Sequence, residues 1–426
     1  MVFHIEKTKR HSAIAAGVVG NIMEWYDFAL YGYMASILST LFFPGDNKIA
    51  SLLATYGVFA AGFLMRPLGS ALFGWLGDTV SRSTAMFISV AMMAVPTFIL
   101  GLLPTYTSVG LIAPVMLVAV RLIQGLSVGG EFSSSVTYLV ETAPENRRGL
   151  SGSYANVGSM AGMLLGAGMA ALVTNLMPAD QVHAWGWRLP FLFGAVLGVI
   201  AIWLRRHLPR SSHFQEHDSQ RVKTSPLKEA FTLNISETFQ ALFVASAYGA
   251  LFYISLVFLP NWLEEYVHFP LDQAMTVNTI STALLLLLIP LMGWLSDSII
   301  RRTRLVALSI GVFGAGAYPL LIWLSTGSLA SVITVHIIFA ILISVLCGVA
   351  PSLLVELFPT EDRLSGYSVA YNMGLGVVGG ATPMICTWLI SITGNRLALA
   401  GFMLIIAVIG LGALIWMKDR SREPLR

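Results

Sequence analysis

The segment GWLGDTVSRS at residues 74–83 recurs in the second half of the chain as GWLSD at residues 293–297, which Arg301 and Arg302 follow. These two copies begin 219 residues apart, and a second pair, VE at 140–141 and at 355–356, recurs 215 residues apart. Two separate matches at nearly one offset indicate an internal duplication. In membrane proteins, duplicated halves are typical of carriers whose halves move around a site near the middle of the bilayer.

The composition identifies a membrane protein. Hydrophobic residues make up 56% of the 426 residues and charged residues only 11%, which leaves too little polar surface for a soluble chain of this size. Twelve apolar runs are long enough to cross roughly 30 Å of hydrocarbon. They lie at about 13–41, 50–76, 84–102, 109–140, 149–176, 186–206, 237–262, 273–296, 304–324, 329–357, 364–392 and 396–417. We therefore expect an all-α integral membrane protein with twelve transmembrane helices.

The distribution of basic residues predicts the orientation. With the N-terminus inside, 20 of the 25 Lys and Arg residues fall in cytoplasmic segments, in agreement with the positive-inside rule. Both termini are then cytoplasmic. The only long polar stretch divides the spans six and six. We predict an N-terminal six-helix bundle at 1–206, a cytoplasmic linker at 207–236 and a C-terminal six-helix bundle at 237–426.

The sequence also argues against several classes of function. Cys347 and Cys386 lie inside apolar runs, so we expect neither a disulfide framework nor a metal site. No nucleophile, nucleotide-binding loop or metal constellation is recognisable in a soluble segment, so we expect no enzyme and no bound cofactor. The composition gives no indication of a nucleic-acid partner. The basic N-terminus leads into span one without a cleavage site, which predicts a retained helix and not a signal peptide.

Span one carries two carboxylates in the run NIMEWYDF at residues 21–28. An ionisable residue at the centre of a membrane helix costs roughly 2.5–3.5 kcal/mol and almost always faces a water-filled cavity or a partner. Glu24, Asp27 and Tyr31 stand at i, i+3 and i+7, which places them on one face of the helix. We therefore expect this face to line a cavity.

Span four has a polar stripe of the same kind. It carries Arg121, Gln124 and Glu131, and at ~1.5 Å of rise per residue Glu131 lies at a depth similar to that of Glu24 and Asp27. Three neighbouring carboxylates in a low dielectric cannot all ionise cheaply. We predict that one of them, Asp27 or Glu131 before Glu24, carries a coupling proton, with Arg121 as counter-charge or substrate anchor. The alternative is an inert Asp27–Arg121 salt bridge that joins spans one and four.

The segment at 74–83 resembles the loop signature of the major facilitator superfamily, with Ser81 and Ser83 in place of a glycine and a basic residue. More specifically, the chain resembles the metabolite:proton symporter family, which includes carriers of proline and betaine, citrate, 2-oxoglutarate and shikimate. The matching motifs are NIMEWYDF at 21–28, FLMRPLG at 63–69, RLIQG at 121–125, GGE at 129–131 and WRLPF at 187–191. The sequence ends at Arg426, soon after the last span, so we do not expect osmotic control through a C-terminal coiled coil.

The resemblance implies a major facilitator fold of two pseudo-symmetric six-helix bundles, acting by alternating access as a monomer in a bacterial inner membrane. It also implies proton-coupled symport of a small polar metabolite, either a zwitterion such as proline or betaine or a small organic acid. The expected partners are this substrate, protons and the lipid bilayer. Export, antiport and uncoupled facilitation are the alternatives, and a solute-sensing receptor is a third class of function.

Candidate site residues follow from their types and positions. Arg121 is placed deep enough to clamp a carboxylate, and tyrosine rings can attract a quaternary ammonium, although ordinary packing is the alternative for each tyrosine. The expected substrate-binding residues are Arg121, Gln124, Tyr31, Tyr154, Tyr248, Tyr253, Tyr371 and Asn372. In the superfamily the repeated loops form a cytoplasmic gate. Its members here would be Asp78, Arg82, Asp297 and Arg301, whereas Arg302 is interpreted as a topology signal.

Overall fold

A computed structural model of the chain describes residues 2–45, 48–206, 232 and 234–425. Most of the linker that we expect at 207–236 lies outside these described residues. Every regular element in the described part of the chain is a helix.

Ten of the described helical segments are long and apolar enough to cross a bilayer. The first two spans complete the predicted twelve, because α1 covers Val2–Phe42 and span two is divided into α2 (Lys48–Leu64) and α3 (Arg66–Thr79). The other long helices are α4 (Arg82–Leu102), α5 (Ile112–Glu141), α6 (Arg148–Leu176), α7 (Arg188–Arg206), α8 (Ile235–Tyr253), α9 (Leu259–Val267), α10 (Leu271–Ser298), α11 (Arg302–Leu324), α12 (Leu329–Val355), α13 (Arg363–Tyr371), α14 (Gly380–Thr393) and α15 (Ala398–Ile415). The prediction of an all-α, twelve-span membrane protein is confirmed.

Three spans are interrupted. In span two, α2 ends at Leu64 and α3 begins at Arg66, with a proline in the first turn of α3 that has no N–H to donate to the preceding turn. The π-helical turn Ile254–Phe258 joins α8 to α9, and a longer π-helical segment, Asn372–Gly379, joins α13 to α14. Such interruptions in membrane helices are commonly found at functional sites.

The contacts within the chain define two compact units. Unit 1 comprises Met1–Tyr138 and Gly158–Ser219, and unit 2 comprises Leu139–Val157 and Gln220–Arg426. The turn between α5 and α6 therefore packs with unit 2, although it comes from the first half of the sequence.

Unit 1 is built around one apolar cluster in which α1 contacts α4, α5 and α7. Tyr26, Phe42, Trp187 and Phe191 are fully buried in it, and the rings of Phe42 and Trp187 lie 5.7 Å apart, edge to face. The Tyr26 hydroxyl donates a hydrogen bond of 2.6 Å to the carbonyl oxygen of Pro190. These contacts fix the rotation of α1 about its axis, and this rotation determines where its polar face points.

Three glycines of α6 bring this helix into backbone contact with α1. A Cβ atom added to any of them would lie less than 3.0 Å from a carbonyl oxygen of α1, a distance that real Cβ atoms essentially never show. The pairs are Gly158 with Val18, Gly162 with Ile22 and Gly166 with Tyr26. Small residues every four positions are the usual means of close helix packing in membranes.

Unit 2 is held by contacts among its own helices. α10 packs against α12, α11 packs against α12 and α15, and α8 packs against α15 and the π-helical segment of span eleven. The rings of Phe313 in α11 and Phe339 in α12 lie 5.1 Å apart.

Candidate functional site

The polar faces of spans one and four meet in unit 1 around the carboxylate of Asp27. Arg121 forms an ion pair with it, with 2.5 Å between Nη1 and Oδ2. Its other oxygen accepts hydrogen bonds from Gln124 Nε2 at 3.1 Å and Thr97 Oγ1 at 3.2 Å. All four side chains are buried. The structure thus brings Asp27, Arg121 and Gln124 together and adds Thr97 of α4 to them.

Tyr31 contacts this cluster from one turn further along α1. Its ring lies under the guanidinium of Arg121, with 3.7 Å from the guanidinium carbon to the ring centroid. Its hydroxyl donates to the carbonyl oxygen of Thr55 at 3.1 Å. Since the ring face is covered by Arg121, Tyr31 orients this arginine.

A cavity in unit 1 opens beside the Asp27 cluster. It has about 410 Å³ of atom-free space, a figure that includes the open solvent at its mouth. Its polar wall consists of Glu24, Asp27, Arg66, Arg121 and Gln124, and its aromatic wall consists of Trp25, Phe28 and Phe63. The cavity predicted beside the polar face of span one is therefore present.

Glu24 and Arg66 are charged, buried members of this wall. Glu24 is 4% exposed, and its Oε2 makes no hydrogen bond with any described residue. Arg66 is 6% exposed, and its guanidinium lies over the ring of Phe63, 4.2 Å from the centroid. Neither side chain belongs to an ion pair within the described part of the chain.

Glu131 lies in a different cluster and does not line the cavity. Its two oxygens are bound by both terminal nitrogens of Arg205, one of them at 2.6 Å, and by the hydroxyl of Ser89 at 2.5 Å. Arg205 also donates to the carbonyl oxygens of Met86 at 2.6 Å and Ala16 at 3.1 Å. This ion pair joins α1, α4, α5 and α7.

The remaining candidates for substrate binding lie in unit 2. The Tyr248 hydroxyl is 3.3 Å from Asn156 Oδ1 and also 3.3 Å from Cys347 Sγ, and its ring centroid is 6.3 Å from that of Tyr371. Asn372 donates to the carbonyl oxygen of Ser368 at 2.9 Å. Tyr253 is buried beside Phe252, and Tyr154 is half-buried. Tyr248 and Tyr371 thus form an aromatic cluster separate from the unit 1 cavity.

Comparison with known proteins identifies the family. The family model for "Sugar (and other) transporter" matches residues 13–230, and the model for "Major Facilitator Superfamily" matches residues 241–426. The proline/betaine transporter of Salmonella typhimurium is 32% identical over 99% of this chain and 86% of its own length. The chain belongs to the major facilitator superfamily, in its metabolite:proton symporter family.

Further relatives agree with this placement. The glycine betaine/proline/ectoine/pipecolic acid transporter OusA of Dickeya dadantii is also 32% identical, over 99% of this chain and 86% of its own length. A solved structure of the proton:xylose symporter XylE with 6-bromo-6-deoxy-D-glucose superposes with a TM-score of 0.77 at 16% identity, covering 99% of this chain and 98% of XylE. The expected superfamily fold is confirmed. The chain is a multi-pass inner membrane protein that transports a small solute by secondary active transport.

The loop residues that the superfamily resemblance assigns to a gate lie in two places. In unit 1, Asp78 pairs with Arg82 four residues later. In unit 2, Asp297 accepts hydrogen bonds from the backbone N–H groups of Gly149 and Leu150, both at 2.8 Å, and from Arg302 at 2.6 Å.

Arg302 and not Arg301 occupies the centre of the unit 2 network. Arg302 is fully buried and also pairs with Glu356, which Arg148 contacts at 3.2 Å. Arg301 is exposed at the start of α11. The sequence predicts Arg301 in the gate and Arg302 as a topology signal, whereas in the structure Arg302 contacts Asp297 and Arg301 does not. The rotation at the start of α11 decides which of the two side chains is buried, and the sequence pattern does not specify it.

Two other arginines were also given no role by the sequence. Arg205 and Arg206 stand together at the end of span six, where basic residues usually reflect the orientation of the span. Only the packing of α7 distinguishes the buried Arg205 from its neighbour. Arg66 did carry a signal, because it lies inside an apolar run, where a charge requires a partner or a cavity.

Proposed function

We propose that this protein is a proton-coupled symporter that imports a small zwitterion of the proline/betaine kind by alternating access. The observation that carries the proposal is the buried carboxylate of Asp27, which lies in a membrane span, lines the cavity and is paired with Arg121. The names of the relatives support the substrate class.

Asp27 is a better proton site than Glu131 because of its surroundings. Asp27 lines the cavity of unit 1. Glu131 is bound by both terminal nitrogens of Arg205 and by two serine hydroxyls, away from the cavity. Protonation of either carboxylate would leave its arginine buried without a counter-charge, so the position of Asp27 beside the cavity decides between the two candidates.

Protonation of Asp27 would leave Arg121 with neutral partners only. It removes the negative charge that holds Arg121, while Gln124 can still accept a hydrogen bond from the guanidinium at 2.9 Å. Arg121 also keeps the ring face of Tyr31. The guanidinium thus keeps one hydrogen bond and one ring contact when Asp27 is protonated. We therefore assign Arg121 the role of counter-charge to Asp27.

The experiment is uptake of labelled proline and glycine betaine into proteoliposomes, with and without an acid-outside pH gradient, for wild type and for Asp27→Asn. We expect wild type to accumulate the solute only with the gradient. Asp27→Asn should lose this accumulation and keep exchange of labelled for unlabelled solute, since exchange requires no net proton movement. Asp180→Asn, which changes an exposed aspartate, is the matched control.

Several results would contradict the proposal. Gradient-driven accumulation by Asp27→Asn would make the Asp27–Arg121 pair a structural salt bridge. Equilibration by wild type that is independent of the gradient would indicate a facilitator. Accumulation driven only by an acid-inside gradient would indicate an antiporter that exports its solute.

A further inference from the structure

In the described part of unit 1, two buried charged side chains belong to no ion pair. Eight charged side chains are buried in its described part, and six of them form the ion pairs Asp27–Arg121, Asp78–Arg82 and Glu131–Arg205. Glu24 and Arg66 remain, one negative and one positive, and both line the same cavity. A buried charge without an ion-pair partner is costly and is characteristic of a binding site.

The cavity wall beside Glu24 is aromatic. The rings of Trp25 and Phe28 lie 5.3 Å apart, and those of Phe28 and Phe63 lie 5.7 Å apart. Aromatic faces near a carboxylate attract a cation that is weakly hydrated, such as a substituted ammonium. This part of the wall therefore suits the positive end of a ligand.

The wall beside Arg66 suits the negative end. Arg66 is the first residue of α3, where span two is interrupted, and Met65 before it provides no side-chain cap. The break is a single residue, Met65, whose backbone stays helical and whose N–H donates to the carbonyl oxygen of Gly62 at 3.2 Å, so the positive charge at this point comes from the Arg66 side chain. The guanidinium is oriented by the ring of Phe63 and offers a planar set of donors.

The close approach of spans two and four fixes this end of the cavity. A Cβ atom added to Gly129 of α5 would overlap the carbonyl oxygen of Arg66, and one added to Gly125 would overlap that of Gly62. The backbone at the break is therefore held against α5, next to the residues that line the cavity. Arg66 is presented by a rigid element, as recognition of a small ligand requires.

We propose that Glu24 and Arg66 form a zwitterion clamp, in which Arg66 binds the carboxylate of the substrate and Glu24, with Trp25 and Phe28, binds its ammonium. This inference rests on the proposed function and specifies the recognition of the solute. A ligand with both charges neutralises both side chains. An anion alone leaves Glu24 uncompensated, and a cation alone leaves Arg66 uncompensated, so the clamp selects zwitterions.

The test uses three ligands of nearly one shape. Glycine betaine carries both charges, 3,3-dimethylbutanoate carries only the carboxylate, and choline carries only the quaternary ammonium. Their dissociation constants are measured by titration calorimetry on the purified full-length protein in detergent, without any gradient. We expect wild type to bind glycine betaine at least tenfold more tightly than either other ligand.

The two variants should change this preference in opposite directions. Glu24→Gln should weaken the binding of glycine betaine at least tenfold and leave the binding of 3,3-dimethylbutanoate unchanged or tighter. Arg66→Gln should weaken the binding of glycine betaine at least tenfold and leave the binding of choline unchanged or tighter. Glu145→Gln, at an exposed glutamate, is the matched control. Misfolding weakens the binding of all three ligands together, so it cannot produce opposite changes in selectivity in the two variants.

Three results would overturn the clamp. They are equal binding of glycine betaine and 3,3-dimethylbutanoate by wild type, wild-type selectivity in both variants, and uniform weakening of the binding of all three ligands by variants that melt at the temperature of wild type. If Glu24→Gln keeps the affinity for glycine betaine but loses gradient-driven accumulation, Glu24 is a proton carrier and the clamp is again overturned.

Failure of the clamp and failure of the proposed function are distinguishable. If the two variants show the crossed selectivity in detergent but wild type does not accumulate solute under a pH gradient, the clamp is retained and the symport is refuted. Wild type that accumulates betaine while both variants keep its selectivity refutes the clamp and retains the symport.

Discussion

At the scale of single residues, the pair of Glu131 and Arg205 is held by several hydrogen bonds in addition to its ion pair. Arg205 reaches carbonyl oxygens on α1 and α4 in addition to the carboxylate on α5. Gly20 of α1 lies directly against the pair, and any side chain there would overlap the Arg205 guanidinium. These contacts indicate a structural role in joining helices.

Glu131→Gln should therefore lower the thermal stability of the purified protein, because it leaves the Arg205 charge buried and uncompensated, at a cost of ~3–5 kcal/mol. Replacing both partners, as in Glu131→Leu with Arg205→Leu, should restore much of this loss, since no buried charge remains. Thermal unfolding of the single and double variants measures both effects. A Glu131→Gln protein that melts like wild type but no longer couples uptake to the pH gradient would instead place Glu131 on the proton route.

At the scale of helices, the packing of α6 on α1 positions the face that carries Glu24 and Asp27. Gly162 contacts the backbone of Ile22, two residues before Glu24. Gly168, six residues further along the same helix, has open space around the position of a Cβ atom. The two glycines thus allow one substitution to be compared in two environments.

Gly162→Ala should destabilise the protein by ~1–3 kcal/mol, the usual cost of overpacking, and should reduce solute uptake, because α1 has to move away. Gly168→Ala should have no measurable effect on uptake and little on stability. Melting temperatures and uptake rates of the two variants provide the comparison. Equal melting temperatures and uptake rates of the two variants would show that close packing of α6 on α1 is not needed for stability or uptake.

At the scale of the whole molecule, the orientation in the membrane follows from the charge distribution. We expect the segment between α4 and α5 outside the cell and both termini in the cytoplasm. Thr107 lies exposed in the first of these regions, and Lys418 lies exposed just after α15. The two native cysteines are buried and should contribute little background labelling.

A membrane-impermeant maleimide should therefore label Thr107→Cys in intact cells, and Lys418→Cys only after the membrane is permeabilised. The reverse pattern would invert the orientation, and labelling of both in intact cells would refute cytoplasmic termini. The protein with only its native cysteines serves as the control for background.

The sequence by itself determined the twelve spans, because the length and composition of each span reflect the hydrocarbon that it crosses and not its neighbours. It also determined that Glu24, Asp27 and Tyr31 share one face, since helical periodicity is a local property. From these facts the cavity beside span one and the meeting of Asp27 with Arg121 could be predicted.

Apart from the Asp27–Arg121 pair, only the tertiary structure decided which charge pairs with which. It placed Glu131 on Arg205, Arg302 on Asp297, and Glu24 and Arg66 on the wall of one cavity. Ion pairs form over less than 4 Å between helices that are far apart in the sequence, so their partners depend on how each helix is rotated and how closely it packs. A periodic pattern specifies a face of a helix, whereas the neighbour of this face is determined by the packing of all the helices around it.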